Sequence, residues 1–112
     1  MKIYHNPRCS KSRQTLQLIK DANVEVEIIE YLKKAPTYEE IKLLLMKLHL
    51  KPIDIIRKGE DVYKEKFKNS NFNDDEWIKI MMEYPTLIER PIVVKDNKAI
   101  VCRPPENVMV FL

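Results

Sequence analysis

Cys9 stands in the run Tyr4-His5-Asn6-Pro7-Arg8-Cys9-Ser10-Lys11-Ser12-Arg13, between a short apolar stretch and a helical pattern, and among cations. The first twenty residues hold Lys2, Arg8, Lys11, Arg13 and Lys20 and no Asp or Glu, a local charge of +5. Nearby positive charge and the exposed N–H groups of a helix start both favour thiolate over thiol, and thiolate is the nucleophile. The same field draws in an anion. Free cysteines often serve as small buried apolar residues, but Asn6, Arg8, Ser10 and Lys11 are polar and would pack such a residue badly. The chemistry these residues suit is attack by sulfur on an anionic electrophile.

Other side chains invite roles of their own. His5 sits one strand end from Cys9 and reads either as a hydrogen-bond partner that tunes the thiol or as a structural histidine. Ser12 either donates to the thiolate or caps the helix, and Arg13 faces either the site or solvent. His49 reads as a helix-end residue. Cys102 follows Ala99-Ile100-Val101 and reads as structural, with a resolving thiol as the alternative. The two cysteines lie too far apart for zinc-ligand pairing and are too few for a disulfide scaffold, so no metal is expected. Gly59 is the single glycine, which excludes a glycine-rich phosphate cradle and leaves the N–H groups near Ser10 to Ser12 to hold an anion. The spacing Cys9-x-x-x-Arg13 also differs from the Cys-x-x-x-x-x-Arg loop of phosphatases.

These residues need elements to carry them. Lys2 to His5 reads as a strand stopped by Asn6-Pro7, since proline cannot donate to a ladder. From Ser10, Leu16, Ile19 and Ala22 recur near a helical period. Val24 to Tyr31 alternates β-branched residues with Glu25 and Glu27, the mark of a second strand. Thr37-Tyr38-Glu39-Glu40 has the form of a capping box, followed by Ile41, Leu44, Leu45 and Leu48 on one face of a helix ending near His49. Asp61 to Phe67 suggests a short helix. Asn73-Asp74-Asp75-Glu76 starts another, with Trp77, Ile80, Met81 and Tyr84 as its core stripe and Pro85 as its stop. Ile92-Val93-Val94 and Ala99 to Cys102 flank a turn at Asp96-Asn97 and predict an antiparallel hairpin. A last helix is expected after Pro104-Pro105. The order βαβ, helical insertion, ββα predicts an α/β, thioredoxin-like fold with a central mixed sheet of four strands.

The chain has 112 residues, 45% of them hydrophobic, enough for one modest core, so residues 1–112 are expected to form a single domain. The net charge of +3 conceals the local excess: residues 21–50 carry 4 bases against 6 acids, and the remainder balances at 11 each. Bases outside the first segment alternate with acids instead of lining one face, which argues against nucleic acid as a ligand. No stretch approaches the ~20 apolar residues of a membrane span, and Lys2-Ile3-Tyr4 reads as a strand instead of the charged start and hydrophobic run of a secretory leader. A cytoplasmic location is the expectation.

With the residues laid out, the chain resembles the glutaredoxin-linked arsenate reductase (ArsC-like) family. The match rests on Ile3 through Arg13, on Ile56-Arg57-Lys58, on Arg90-Pro91-Ile92-Val93-Val94 and on Cys102-Arg103-Pro104-Pro105-Glu106. The resemblance implies Cys9 as nucleophile and Arg57, Arg90 and Arg103 as the ligands of an oxyanion, with His5, Ser12 and Pro91 in support. It further implies arsenate as substrate, glutathione as co-substrate with no bound cofactor, glutaredoxin as partner, and a monomer. Pro91 occupies the place where thioredoxin-like folds carry a cis proline, so a cis bond is expected there. Guanidinium forks suit such a substrate, because each is permanently charged and can hold two oxygens of a tetrahedral anion.

Two other readings share these residues. Spx-type regulators, which bind RNA polymerase, resemble the same family but commonly carry Cys-x-x-Cys as a redox switch, where this chain has Cys9-Ser10-Lys11-Ser12. A monothiol protein acting on glutathione mixed disulfides is the third. Arg8 and the Ser10-Lys11 pair are larger and more basic than the small residues that often flank the family nucleophile, which leaves pocket size open.

Overall fold

The computed structural model describes all 112 residues. They form β1 (Lys2–Tyr4), α1 (Ser10–Asp21), β2 (Glu27–Ile29), α2 (Tyr38–Leu48), α3 (Asp74–Glu83), β3 (Ile92–Lys95) and β4 (Lys98–Val101), with short tight helical turns between and after them. Two compact units result, residues 1–34 with 90–112, and residues 35–89.

The first unit is built on a four-stranded sheet in the order β2-β1-β3-β4. β1 pairs parallel with β2 and antiparallel with β3, and β3 and β4 form the hairpin, so the sheet is mixed as expected. Ile3 and Val93 are register partners. Both are fully buried, and they join Ile19 of α1, Cys102, Val108 and Phe111 in one apolar cluster. Helix α1 and the closing segment Pro105–Phe111 therefore cover that face of the sheet. The hairpin turns at Asp96, which takes a left-handed φ of 55°. Aspartate tolerates that region better than most side chains, so the chain turns there without glycine.

Two expectations for this unit are corrected. β2 spans only Glu27–Ile29 instead of Val24 to Tyr31. At the sheet edge it has one neighbour, and alternation beyond the reach of the three-residue β1 finds no ladder to join. In α1 the buried positions are Ser12, Thr15 and Ile19, not Leu16, Ile19 and Ala22. The buried line there is partly polar because the helix start serves the cysteine loop. The final helix expected after Pro104-Pro105 is present as a 3-10 segment, Pro105–Phe111, with Pro at its first position.

The second unit is helical. Thr37 caps α2, its hydroxyl accepting the Glu40 N–H at 3.1 Å. The α2 stripe Ile41, Leu44, Leu45 and Leu48 is buried as the spacing predicts. The helix ends at His49 with φ 56°, where Leu50 N–H returns to the Leu45 carbonyl and His49 N–H to that of Met46. This is the six-to-one, five-to-two closure usually built on glycine. Asn73 and Glu76 form a complete capping box on α3. The buried residues of α3 are Trp77, Ile78 and Met81, with Ile80 and Tyr84 only half-buried, so the expected stripe is rotated by part of a turn. Asp61 to Phe67 contains a π turn, Tyr63–Phe67, which lays Tyr63 and Phe67 against Trp77.

Candidate active site

The site is assembled where β1 runs out. The backbone of Asn6 reverses the chain: its carbonyl accepts the Cys9 N–H at 3.0 Å, and its side-chain Oδ1 accepts the Arg8 N–H at 3.0 Å. Cys9 then stands as the residue just before α1, with extended backbone and no side-chain cap. A cap would occupy the helix-start amides, whereas here they are left to the sulfur. Burial by itself would raise the Cys9 thiol. The backbone N–H of Ser12, the Arg90 guanidinium, the backbone N–H of Lys11 and the Arg103 guanidinium together outweigh that penalty and hold it below its ordinary value.

Arg103 Nη1 approaches Cys9 Sγ at 3.9 Å and donates to the Arg90 carbonyl at 3.0 Å. The backbone of one arginine thus steers the side chain of the other. Both the Arg90–Pro91 bond, expected to be cis, and the Arg103–Pro104 bond, which nothing in the sequence singled out, are cis. Cys102 N–H binds the Pro91 carbonyl at 2.9 Å, tying the two proline-bearing segments together beside the sulfur.

His5 is 6% exposed and its Nδ1 lies 2.6 Å from Ser12 Oγ. Ser12 Oγ also accepts the Asn6 N–H at 3.1 Å. An oxygen already accepting from Asn6 is best matched by passing its own proton to the imidazole, which makes Nδ1 the acceptor of a neutral ring. Burial, the largest influence on His5, lowers its basicity and favours that neutral form. These contacts bear on the alternative readings of both residues. His5 bonds to Ser12 rather than to the thiol, and Ser12 serves the thiolate through its backbone N–H while its hydroxyl faces His5 and Asn6. Arg13 Nη1 donates to the Pro7 carbonyl at 2.9 Å, so this cation clasps the loop.

Arg57 belongs to the 35–89 unit. Its guanidinium is paired there with Glu89 Oε1 at 2.8 Å and Glu60 Oε1 at 3.3 Å. Cys102 is wholly buried, and burial pushes its thiol up to about 12. No three His, Cys, Asp or Glu side chains gather in a way that would hold a metal ion, and no helix is long and apolar enough to cross a membrane. Asn6 escaped the sequence reading; the available signal was an Asn before Pro at a strand end, a favoured turn starter.

Among known proteins, the ArsC family model matches residues 4–111. An uncharacterized protein of Escherichia coli K12, YfgD, is 43% identical over 111 residues, spanning 97% of this chain and 93% of its own length. The arsenate reductase of Neisseria meningitidis serogroup A is 40% identical over 114 residues, spanning all of this chain and 97% of its own. The solved structure of an arsenate reductase from Vibrio cholerae superposes with a TM-score of 0.92 at 43% identity, covering all of this chain and 98% of that one. That backbone agreement fits a thioredoxin-like fold. These matches extend over nearly the whole chain, and the chain belongs to the ArsC family.

Proposed function

We propose that this chain is a thiol-dependent oxidoreductase that reduces arsenate to arsenite at Cys9, with glutathione and glutaredoxin supplying the electrons. The Cys9 thiolate attacks arsenic(V), forming a sulfur–arsenic bond while one arsenate oxygen takes up protons and leaves as water. A glutathione thiol then adds to the arsenic, displacing a second water. Glutaredoxin draws the glutathionyl sulfur away as a mixed disulfide, and the two electrons left behind reduce arsenic(V) to arsenic(III). Hydrolysis of the remaining sulfur–arsenic bond releases arsenite and restores Cys9.

The observation that carries this reading is the Arg103 guanidinium 3.9 Å from a Cys9 sulfur whose thiol is held below its ordinary value by helix-start amides and two arginines. Donors fixed before the reaction stabilise charge that moves onto a departing oxygen. Arg90 and Arg103 bind the oxyanion in this scheme. Arg57 is included on family resemblance, and an Arg57→Ala variant with an unchanged KM for arsenate would remove it. The names borne by the relatives support the substrate. The absence of a Cys-x-x-Cys pair, which a local redox switch needs, favours an enzyme over an Spx-type regulator.

The test is arsenate reduction with glutathione and glutaredoxin, following arsenite release. Cys9→Ser is expected to lose activity by at least about a thousand-fold, the scale on which a missing nucleophile is felt. Equal turnover by the two proteins would end the proposal.

A further inference from the structure

Between the end of β1 and the start of α1, the backbone N–H groups of Asn6, Arg8 and Cys9 all find acceptors nearby, and Asn6 takes part in each of those bonds. It is 6% exposed and bonds through three groups at once. Its carbonyl takes the Cys9 N–H, its Oδ1 takes the Arg8 N–H, and its own N–H goes to Ser12 Oγ. The loop amides on the near side of Cys9 are thereby satisfied, and the bond to Ser12 holds the first turn of α1 against the loop. The amides of Lys11 and Ser12, on the far side of the cysteine, have no loop acceptor, and these act on the sulfur.

We propose that Asn6 is a positioning residue for the Cys9 nucleophile, closing the loop so that the backbone N–H groups of Lys11 and Ser12, and not those of Arg8 and Cys9, are presented to the thiolate. The assignment rests on Cys9 as the reacting group and deepens that reading. Asn6 acts through the backbone and touches neither sulfur nor substrate. Its short amide matches the task because an oxygen on Cγ reaches the N–H two residues ahead, the geometry of an Asx turn.

The experiment measures the rate of Cys9 alkylation by iodoacetamide against pH, with Cys9→Ser as the blank. Asn6→Ala is expected to move the midpoint upward and to lower the rate constant at pH 6.5 by about three- to ten-fold, as the thiolate fraction falls. Asn6→Ser, whose hydroxyl can still accept the Arg8 N–H, should restore most of that rate. Should Asn6→Ala fail to fold, Asn6→Gln takes its place with the same expectation, because its oxygen lies one methylene too far. A variant that unfolds more easily yet keeps the wild-type alkylation profile would make Asn6 merely structural and overturn the assignment. So would an Asn6→Ser profile as displaced as that of Asn6→Ala. Alkylation needs no arsenate, so a negative result here condemns the role of Asn6, whereas active Cys9→Ser enzyme condemns the proposed function.

Discussion

Cys9 and Cys102 carry the same side chain and differ in every property that matters for chemistry. Cys9 is part-exposed beside two guanidinium groups and two helix-start amides, and Cys102 is buried among Ile3, Val93 and Val108. Replacing Arg103 by Ala removes a charge-assisted donor to the sulfur. KM for arsenate is expected to rise about ten-fold or more, since such bonds contribute ~1.5–3 kcal/mol. The alkylation midpoint of Cys9 should rise too, with reaction at pH 6–7 slowed, because the thiol is held below its usual value partly by that arginine. Cys102 is expected to resist both iodoacetamide and peroxide in the folded protein, with no Cys9–Cys102 disulfide detected by mass spectrometry. Burial raises its thiol to about 12, so folding retains a proton that the unfolded chain releases near 9. That contribution to stability is complete below pH 9 and is lost as pH climbs from 9 toward 12. Rapid labelling of Cys102 at neutral pH without denaturant would contradict the burial argument.

The helices show how a chain with one glycine ends its elements. Asn23 and His49 both adopt left-handed φ, 58° and 56°, just past the last turns of α1 and α2. Asn23 N–H reaches the Lys20 carbonyl and Val24 N–H that of Ile19, repeating the closure at His49. Asparagine enters this region at small cost, whereas histidine carries the full Cβ penalty. His49→Gly is therefore expected to stabilise the protein by about 0.5–1 kcal/mol, read as a higher denaturant midpoint with unchanged slope. Unchanged or lowered stability would mean that the His49 side chain contributes more than its backbone strain costs. Helix starts were easier to read than stripes. The caps at Thr37 and Asn73 rest on bonds made within four residues, but the buried line of α1 and α3 depends on what lies opposite, and both differ from the apolar periodicity.

At the scale of the whole chain, residues 35–89 are inserted between the third and fourth segments of a sheet-based unit. We read 1–112 as one domain, and unfolding supplies the check. Trp77, the sole tryptophan, is buried in the inserted unit, while Ile3 and Val93 lie in the sheet. Thermal unfolding followed by Trp77 fluorescence should coincide with loss of amide protection at Ile3 and Val93, the behaviour of a single cooperative domain. Two separated transitions would make the insertion a domain of its own.

Much of the molecule was determined by the order of its residues alone. The hairpin, three helix starts, and a thiol placed among cations at a helix start all follow from local pattern, because caps, turns and alternation are satisfied within a few positions. Tertiary structure decided the rest. That Arg103 reaches a sulfur 94 positions away, that its guanidinium hangs from the Arg90 carbonyl, and that His5 bonds to Ser12 instead of the thiol depend on which backbone groups other bonds have already satisfied. Arg57, expected among the oxyanion ligands, is paired with Glu60 and with Glu89, 32 positions on. A charge can be counted from composition, but where its field acts depends on the neighbours that folding brings to it.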